Sequence, residues 1–305
     1  MNERIFVTGA CGYIGNAIAA RLARKGHKVY GLTRSREHAR ALEASGIHPV
    51  LGDLAGEQDW LGVLQNCDGA VHTAFDGENG AADVDHAALE ALRLASLDGR
   101  VRRVLYTSGT WVHGHGDAGT ADERTPLAPL AVVQWRAAHE EIALDLAAHD
   151  VDVVILRPGM AYGEHRGMLG GWFAEAHDVH TVTYPGDGSQ HWSLVHRDDL
   201  AEAYALAYEH GGAGERYLLA DESRFTVKEL AEAVAEATGS RAIPWPAEEL
   251  VKAMGGYGEA LLNDLTVSSA KARRELGWVP RHTSFVAEAR DLWREWQAGR
   301  ATPVR

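Results

Sequence analysis

Cysteine is scarce in this sequence, with Cys11 and Cys67 the two cysteines among 305 residues. Two thiols cannot build a disulfide framework, and the absence of a Cys-x-x-Cys pair argues against the commonest metal and redox motifs. No apolar run approaches the roughly 20 residues that a membrane-spanning helix needs. No signal peptide precedes the first apolar run. We therefore expect a cytoplasmic protein without a metal site.

Positive charge is also in short supply, because 30 lysines and arginines face 43 aspartates and glutamates, for a formal net charge of -13. This balance disfavours nucleic acid and anionic membranes as the main partners, although it leaves room for a local basic pocket. A small-molecule substrate is the expected partner. Hydrophobic residues still make up 46% of the chain, enough for a sizeable core in one large α/β domain or a domain with a smaller lobe.

Short apolar runs alternate with alanine-rich helical patterns in the first half of the chain. The runs predicted as strands are residues 4–8, 28–32, 47–51, 69–73, 101–107 and 151–156. The patterns predicted as helices are residues 13–25, 36–44, 58–65, 82–97 and 133–148. Continuously apolar strands that alternate with helices predict a doubly wound, Rossmann-type parallel sheet covered on both faces.

The alternation loosens after Gly163, where glycine, histidine and tryptophan become frequent. Helices are still predicted near residues 199–209, 226–238 and 284–298. We expect residues 1–163 to form the Rossmann domain and residues 164–305 to form mainly a smaller substrate-binding lobe, with segments that return to the first domain. Open α/β sheets bind ligands at the carboxyl ends of their strands, where this lobe would lie.

The strongest functional motif is a glycine-rich segment between the first strand and the first helix. Gly9, Gly12 and Gly15 follow the pattern Gly-x-x-Gly-x-x-Gly, with Tyr13 and Ile14 inside it. Such a turn lets backbone N–H groups approach a pyrophosphate at the positive end of the helix. A tight turn without a ligand is the alternative, but strand, turn and helix stand in the order that cofactor binding requires.

The spacing of these glycines resembles that of short-chain dehydrogenases, and further motifs extend the resemblance along nearly the whole chain. Residues 51–54 resemble the segment that contacts adenine, and residues 71–74 the segment beside the cofactor. Residues 156–163 are close to "LRPxxxYG", residues 196–200 resemble "HVDDL", and residues 271–278 match "KARRELGW". The chain is thus similar to the extended short-chain dehydrogenases/reductases of the NAD(P)-dependent epimerase/dehydratase kind.

The resemblance implies a nicotinamide cofactor, and the sequence favours NADP(H). An acidic residue at the end of the second strand would bind a ribose 2′-hydroxyl, but residues 31–36 carry no carboxylate. Arg34 can instead pair with a 2′-phosphate, although a solvated arginine at a helix start is the alternative. The predicted cofactor contacts are Gly9, Gly12, Tyr13, Ile14, Gly15, Arg34, Arg36, Asp53, Leu54, His72, Thr73, Ala74, Thr107, Arg136, Pro158, Gly159 and Met160.

The catalytic residues that the family resemblance implies are missing from their expected positions. The family uses a Ser or Thr to orient the carbonyl, a Tyr to exchange the proton and a Lys to hold the ribose. The register places Gly109 at the hydroxyl position, Val132 at the tyrosine position and Arg136 at the lysine position. No tyrosine lies between Tyr106 and Tyr162.

Replacement groups are therefore expected from loops above the sheet. Arg136 can hold ribose hydroxyls, but it cannot relay protons at neutral pH. His113 is the favoured proton donor because it ends the fifth-strand segment, followed by Tyr162 and then His139. For each histidine, a position in the core or on the surface without a catalytic role is the alternative.

Polar and aromatic neighbours complete the predicted site. Ser108 and Thr110 flank Gly109 and are candidate hydroxyl donors. Trp111, Trp135 and Trp192 are candidate substrate contacts, although Trp135 could equally fill the interface between the domain and the lobe. The loop at residues 185–193 contains no arginine or lysine, which argues against a nucleotide-sugar substrate.

Three functions are compatible with these observations. The first is an NADPH-dependent reductase of a small carbonyl compound with an altered proton donor. The second is an epimerase, isomerase or dehydratase that uses bound NADP(H) transiently, and the third is a non-catalytic NADP(H) sensor. The family resemblance also implies a possible homodimer through residues 83–97 and 133–148.

Overall fold

A computed structural model describes residues 2–77, 80–116 and 119–301. Its strands are β1 (Arg4–Thr8), β2 (Lys28–Thr33), β3 (His48–Leu51), β4 (Gly69–His72), β5 (Arg103–Thr107), β6 (Asp152–Pro158), β7 (Met160–Tyr162), β8 (Thr181–Pro185), β9 (Leu194–His196), β10 (Arg216–Leu219) and β11 (Arg241–Trp245). Its α-helices are α1 (Tyr13–Arg24), α2 (Arg36–Ala44), α3 (Leu61–Gln65), α4 (Ala81–Asp98), α5 (Gln134–Leu144), α6 (Gly167–Val179), α7 (Arg197–His210), α8 (Val227–Thr238), α9 (Ala247–Met254), α10 (Gly256–Leu261), α11 (Ala270–Leu276) and α12 (Phe285–Ala301). Short 3₁₀ helices span Thr110–His113, Ala131–Val133 and Asp145–His149.

The central sheet has seven strands in the order β10-β6-β5-β4-β1-β2-β3, and each neighbouring pair is parallel. The predicted doubly wound Rossmann-type sheet is therefore confirmed. The chain order reverses between β1 and β4. Ligands of open α/β sheets bind at such a reversal, beyond the carboxyl ends of the strands.

Both faces of the sheet are covered by helices, because successive strand residues point to opposite sides. On one face, Val7 packs in a cluster with Leu105, Tyr204 and Trp278. On the other face, Phe6 belongs to a cluster that takes in Trp60 and the apolar side of α4. Strands buried on both sides explain why their sequences read as continuous apolar runs.

The residues predicted to form the lobe contribute most of a separate hydrophobic cluster, which includes Trp172, Trp192, Phe285 and Trp296. The helix α6, which the sequence did not predict, lies here, and the indole N–H of Trp172 donates to the carbonyl of Thr183 at 2.9 Å. After the lobe begins, the chain returns to the sheet, where β10 pairs with β6. No helix of the described ranges is long and apolar enough to cross a membrane.

The start of α7 is fixed by two side chains of the "HVDDL"-like segment. His196 is the N-cap residue, and its Nδ1 accepts from the backbone N–H of Asp198 at 3.2 Å. Asp199 accepts through Oδ2 from the backbone N–H groups of Arg281 and His282, at 2.9 and 2.8 Å. These contacts tie the final segment of the chain to α7 and give both side chains a structural role.

Candidate active site

The glycine turn is packed too closely for larger residues. Gly9 has φ +69°, and a β-carbon there would lie 2.7 Å from the backbone nitrogen of Ala74. The N–H of Gly12 donates to the carbonyl of Gly9 at 2.8 Å and closes the turn. Helix α1 follows with no side-chain cap and no acidic residue in its first turn, so its first N–H groups suit an anion. These residues fit the pyrophosphate of a dinucleotide.

Two arginines lie between the end of β2 and the start of α2. Arg34 has 66% of its side chain exposed, and its Nη1 lies 3.3 Å from Oδ2 of Asp76. Arg36 is the first residue of α2 and is exposed. Ser35 caps the helix by accepting from the N–H of Glu37 at 3.1 Å. A 2′-phosphate at this position would meet cationic side chains and no carboxylate from β2 itself.

Asp53 and Leu54 follow β3 on the same edge of the sheet. Leu54 is buried, whereas Asp53 is partly exposed and accepts from the N–H of Ala55 at 3.2 Å. The indole N–H of Trp60 donates to the backbone carbonyl of Asp53 at 3.0 Å. This segment is thus held rigidly beside the end of β2, where the sequence placed the adenine.

A buried polar network begins at the end of β4. Thr8 and His72 are joined by a 2.7 Å hydrogen bond from Oγ1 to Nδ1, and His72 Nε2 lies 3.0 Å from Oδ1 of Asp85. Asp85 also accepts from the Tyr106 hydroxyl at 2.8 Å and lies 2.7 Å from Nδ1 of His139. Burial raises the pKa of Asp85, but these hydrogen bonds outweigh it and hold the pKa below its ordinary value.

His72 and His139 therefore both point at Asp85. Thr73 belongs to the same region, since its hydroxyl donates to the backbone carbonyl of Thr8 at 2.7 Å. The network ties α4 and α5 to the segment of β4 that carries three predicted cofactor contacts. It leaves His139 engaged with a carboxylate on the α4 side of α5.

A cavity of about 490 Å³ opens at the carboxyl ends of β5 and β6. Predicted site residues in its wall are Tyr13, Ser108, Thr110, Trp111, Arg136, Pro158, Gly159, Met160 and Trp192. Other residues in its wall, which were not among the predicted site residues, are Phe75, Val133, Ala161, Met168, His191, Ser193, Tyr257, Asn263 and Leu265. Gly109 and Val132 also line the cavity. The wall is mainly apolar and aromatic, with a few polar groups near the strand ends.

The structure places Val132 and Arg136 in the same wall. Nη1 of Arg136 donates to the backbone carbonyl of Thr107 at 2.9 Å. The guanidinium lies 4.5 Å from the ring centre of Trp135 and 5.4 Å from that of Phe75. Arg136 is thus held by stacking and by a hydrogen bond, while Trp135 supports it and is not among the residues that line the cavity.

Gly109, which the sequence predicts at the position of the family hydroxyl, leaves an opening in the cavity wall. Its backbone is extended, and an added β-carbon would approach no described atom closer than the carbonyl oxygen of Pro158, at 3.9 Å. The neighbouring side chains of Ser108 and Thr110 are buried in the cavity wall. Oγ of Ser108 has no hydrogen-bond partner in the part of the chain that the structure describes.

The two favoured proton donors lie outside this wall. His113 is buried, and its Nε2 lies 3.2 Å from Nη1 of Arg157. Burial, helped by the charge of Arg157, lowers the pKa of His113 to about 4. Tyr162 is fully buried in the lobe core, with its hydroxyl 3.5 Å from Asp221 Oδ2. Neither side chain is among the described residues that line the cavity.

Sequence reasoning missed the contribution of residues 255–265 to the site. The ring of Tyr257 packs edge-on against Trp111, with ring centres 6.1 Å apart. Asn263 donates through Nδ2 to the carbonyl of Gly114 at 3.0 Å, and His191 Nδ1 lies 3.0 Å from Asp264 Oδ1. The one available signal was an aromatic residue among glycines in the segment Gly-Gly-Tyr-Gly.

Two known proteins resemble this chain along most of its length. A protein of Schizosaccharomyces pombe called uncharacterized is 32% identical, covering 93% of this chain and 97% of its own length. The 4-hydroxy-2-methyl-3-oxo-4-farnesyl-3,4-dihydroquinoline-1-oxide ketoreductase of Stigmatella aurantiaca is 27% identical, covering 92% of this chain and 93% of its own. Both relatives span nearly the whole chain.

A solved structure shows the same architecture. The dTDP-glucose 4,6-dehydratase of Streptomyces venezuelae, with NAD and TYD bound, superposes with a TM-score of 0.81 at 23% identity, over 99% of this chain and 100% of that one. At this identity the likeness concerns the fold alone. Residues 5–220 match the family described as the NAD dependent epimerase/dehydratase family, which covers more than half of the chain. The glycine turn, the parallel sheet and this match together show that the chain belongs to the NAD dependent epimerase/dehydratase family.

Proposed function

We propose that this protein is an NADP(H)-dependent reductase of a small, mainly apolar carbonyl compound. The observation that carries the proposal is the cavity of about 490 Å³ beside the glycine turn, with apolar and aromatic walls and a few polar groups where β5 ends. Binding sites for small molecules have this size and this composition. When bound, NADPH would supply the hydride for the carbonyl carbon.

Ser108 and Thr110 are proposed to orient the carbonyl oxygen. Both side chains are buried in the cavity wall beside Gly109, where the family hydroxyl is missing. A buried hydroxyl without a partner costs about 1–3 kcal/mol, so Oγ of Ser108 gains when a substrate oxygen pairs with it. A hydrogen bond to the carbonyl oxygen strengthens as negative charge develops there, which lowers the barrier.

Arg136 is proposed to hold the hydroxyl groups of the nicotinamide ribose. Its guanidinium is half-buried, fixed by Thr107 and stacked on two aromatic rings, so that it is already ordered before a ligand binds. An arginine stays charged at every physiological pH and donates through several N–H groups. It can therefore replace the lysine in binding but not in proton transfer.

The choice of NADP(H) follows from Arg34 and Arg36. The contact of Arg34 with Asp76 is largely exposed on the arginine side and therefore weak. A 2′-phosphate carries more charge than one carboxylate and can take a bidentate contact from the same guanidinium. Cofactor binding would thus exchange a weak ion pair for a stronger one.

The apolar lining supports a ketone or aldehyde as substrate rather than a nucleotide sugar. Arg136 is the one arginine, and no lysine occurs, among the described residues that line the cavity. A diphosphate would need more cationic groups at a distance from the nicotinamide. The ketoreductase of Stigmatella aurantiaca, a relative along nearly the full chain, is named for a largely apolar substrate with a carbonyl group.

The test is steady-state consumption of NADPH with a panel of neutral carbonyl compounds that includes phenanthrenequinone, acetophenone and decanal. We expect turnover with NADPH and a much lower kcat/KM with NADH. Interconversion of an added sugar nucleotide without net NADPH consumption would point to an epimerase instead. Tight NADPH binding with no turnover of any compound would point to a sensor.

The possible homodimer stays a prediction. Helices α4 and α5 pack side by side, and Leu97 and Ile142 on or beside their outer surfaces are 48% and 38% exposed. Sedimentation equilibrium of the wild type and of Ile142→Glu tests it. A dimer through this face would dissociate in the variant.

A further inference from the structure

We infer that Tyr257, which belongs to the lobe, donates the proton that the family tyrosine would supply from the helix after β5. This inference rests on the proposed reductase function. It assigns the missing proton donor to a residue from a different element of the fold.

Helix α10 lies against the position where the family tyrosine is replaced. A β-carbon added at Gly256 would lie 3.3 Å from Cγ1 of Val132, so the residue before Tyr257 lies next to the residue at the tyrosine position. Tyr257 and Val132 both line the cavity, as does Arg136. The lobe thus brings a phenol to the neighbourhood that the helix leaves without one.

The Tyr257 ring is held and yet accessible. Trp111 packs against it edge-on, with ring centres 6.1 Å apart, and Tyr257 is 39% exposed. Within the described ranges its hydroxyl has no hydrogen-bond partner, so it is available to a ligand. Partial burial raises the pKa of Tyr257, so the hydroxyl carries its proton at neutral pH.

Other groups of the site are less suited to this step. The aliphatic hydroxyls of Ser108 and Thr110 can orient a carbonyl, but side chains of their type are not the usual proton donors of general acid catalysis. His113 is buried against Arg157 and does not line the cavity. His191 does line it, although its Nδ1 is engaged with Asp264, and it remains the rival donor in the test below.

The reaction is balanced with NADPH as the reductant. The carbonyl carbon accepts a hydride, the π electrons of the C=O bond move onto oxygen, and this oxygen takes the proton of the Tyr257 hydroxyl. The products are the alcohol and NADP⁺. Water then reprotonates the tyrosinate, since the ring reaches the solvent.

The experiment measures NADPH consumption with phenanthrenequinone for the wild type and for Tyr257→Phe. We expect kcat of the variant to fall by about 10²- to 10⁴-fold, the usual loss on removal of a positioned acid. The dissociation constant for NADPH should be unchanged, which shows that the variant is folded. Tyr30→Phe is the matched control, because Tyr30 lies in β2 beside Arg4 and His48, away from the cavity.

A second variant tests whether activity depends on a phenol at this cavity. Adding Val132→Tyr to the Tyr257→Phe background returns a tyrosine to the family position, next to the same cavity. We expect kcat of this double variant to be at least about tenfold higher than kcat of Tyr257→Phe. A purely structural role of Tyr257 would not be rescued in this way.

The possible outcomes separate the two proposals. An active wild type with an equally active Tyr257→Phe would overturn the assignment of Tyr257 alone. So would a loss of activity in His191→Ala or His113→Ala that Tyr257→Phe does not share. A wild type that reduces none of the carbonyl compounds while it binds NADPH would overturn the reductase function, and this inference with it.

Discussion

Arg157 in β6 and Glu140 in α5 form a buried two-pronged ion pair, with Nε to Oε1 at 2.9 Å and Nη2 to Oε2 at 2.5 Å. The remaining guanidinium nitrogen, Nη1, lies 3.2 Å from Nε2 of His113. Because a guanidinium can only donate, Nε2 must accept and the neutral ring carries its proton on Nδ1. One ion pair thus fixes the orientation of α5 on the sheet and the tautomer of His113.

Replacing Glu140 tests how much this ion pair contributes to the stability of the protein. Glu140→Gln leaves the buried Arg157 charge without its carboxylate, and we expect a loss of about 3–5 kcal/mol in the free energy of unfolding. Urea unfolding followed by circular dichroism measures it. The matched control is Glu141→Gln, where an exposed pair with Arg216 is lost at a cost of about 0–1 kcal/mol. Equal losses of unfolding free energy in the two variants would contradict a larger contribution from the buried pair.

Arg34→Ala tests the cofactor preference. Loss of a charge-assisted contact of roughly 1.5–3 kcal/mol should weaken NADPH binding by about ten- to a hundredfold and leave NADH binding nearly unchanged. Fluorescence titration of both cofactors provides the measurement. Arg24→Ala, an exposed change at the far end of α1, is the control. Wild-type protein that binds NADH as tightly as NADPH would rule the preference out.

Arg136 should affect cofactor binding more than folding. We expect Arg136→Ala to weaken NADPH binding by about tenfold, since the half-buried cation proposed to hold the ribose is lost. Arg136→Lys should retain most of the affinity, because the charge remains. Titration calorimetry distinguishes the two variants. If Arg136→Ala binds NADPH with the affinity of the wild type, the proposal that Arg136 holds the ribose is wrong.

Asp221 gives a pH-dependent prediction of stability. Burial raises its pKa to about 6, against the opposing hydrogen bonds from Ser223. The folded state therefore binds a proton more tightly than the unfolded state, so stability falls as pH rises through the interval from the unfolded pKa to about 6. Asp221→Asn keeps an acceptor for Ser223 without the charge and should stabilise the protein by about 1–3 kcal/mol above that interval.

The gain of Asp221→Asn should vanish near pH 4, where the wild-type carboxyl is largely protonated in the folded state. Thermal unfolding of both proteins across the acid and neutral range measures the difference. A gain that is the same at every pH would show that the substitution acts through packing rather than through the charge.

Nucleotide sugars should not stabilise the protein. The cavity offers few cations for a diphosphate, and Trp192 in the loop before β9 stacks on Trp172 at 5.6 Å as part of the lobe core. Thermal-shift measurements with UDP-glucose and dTDP-glucose check this, with NADPH as the positive control. Saturable stabilisation by either sugar nucleotide at micromolar concentration would contradict the proposed substrate class.

Local sequence signals were sufficient for the Rossmann sheet. Strand β1 and helix α2 begin and end at the residues that the apolar run and the helical pattern predicted. Helix α6 has no comparable local signal, because Gly170 and Gly171 lower helix propensity and no side chain caps its first turn. That helix depends on the packing of Trp172 in the lobe core, which a local pattern cannot reveal.

The candidate site likewise has one part that the sequence predicts and another that depends on tertiary packing. The glycine turn is a short, contiguous motif, so its position could be read directly. Gly256 and Val132 lie close together although they are more than a hundred positions apart in the sequence. Only the packing of the lobe onto the sheet brings them together, so the sequence indicated that the family tyrosine was missing but not that Tyr257 lines the same cavity.

The pairing of β10 with β6 has a consequence for the order in which the chain folds during synthesis. Strand β6 is an apolar edge until β10, completed about 60 residues later, covers it. At about 5–20 residues per second, a ribosome leaves that edge open for roughly 3–12 s. An open apolar edge is a template for pairing with other chains. The nascent protein therefore passes through an aggregation-prone interval that ends only when much of the lobe has been made.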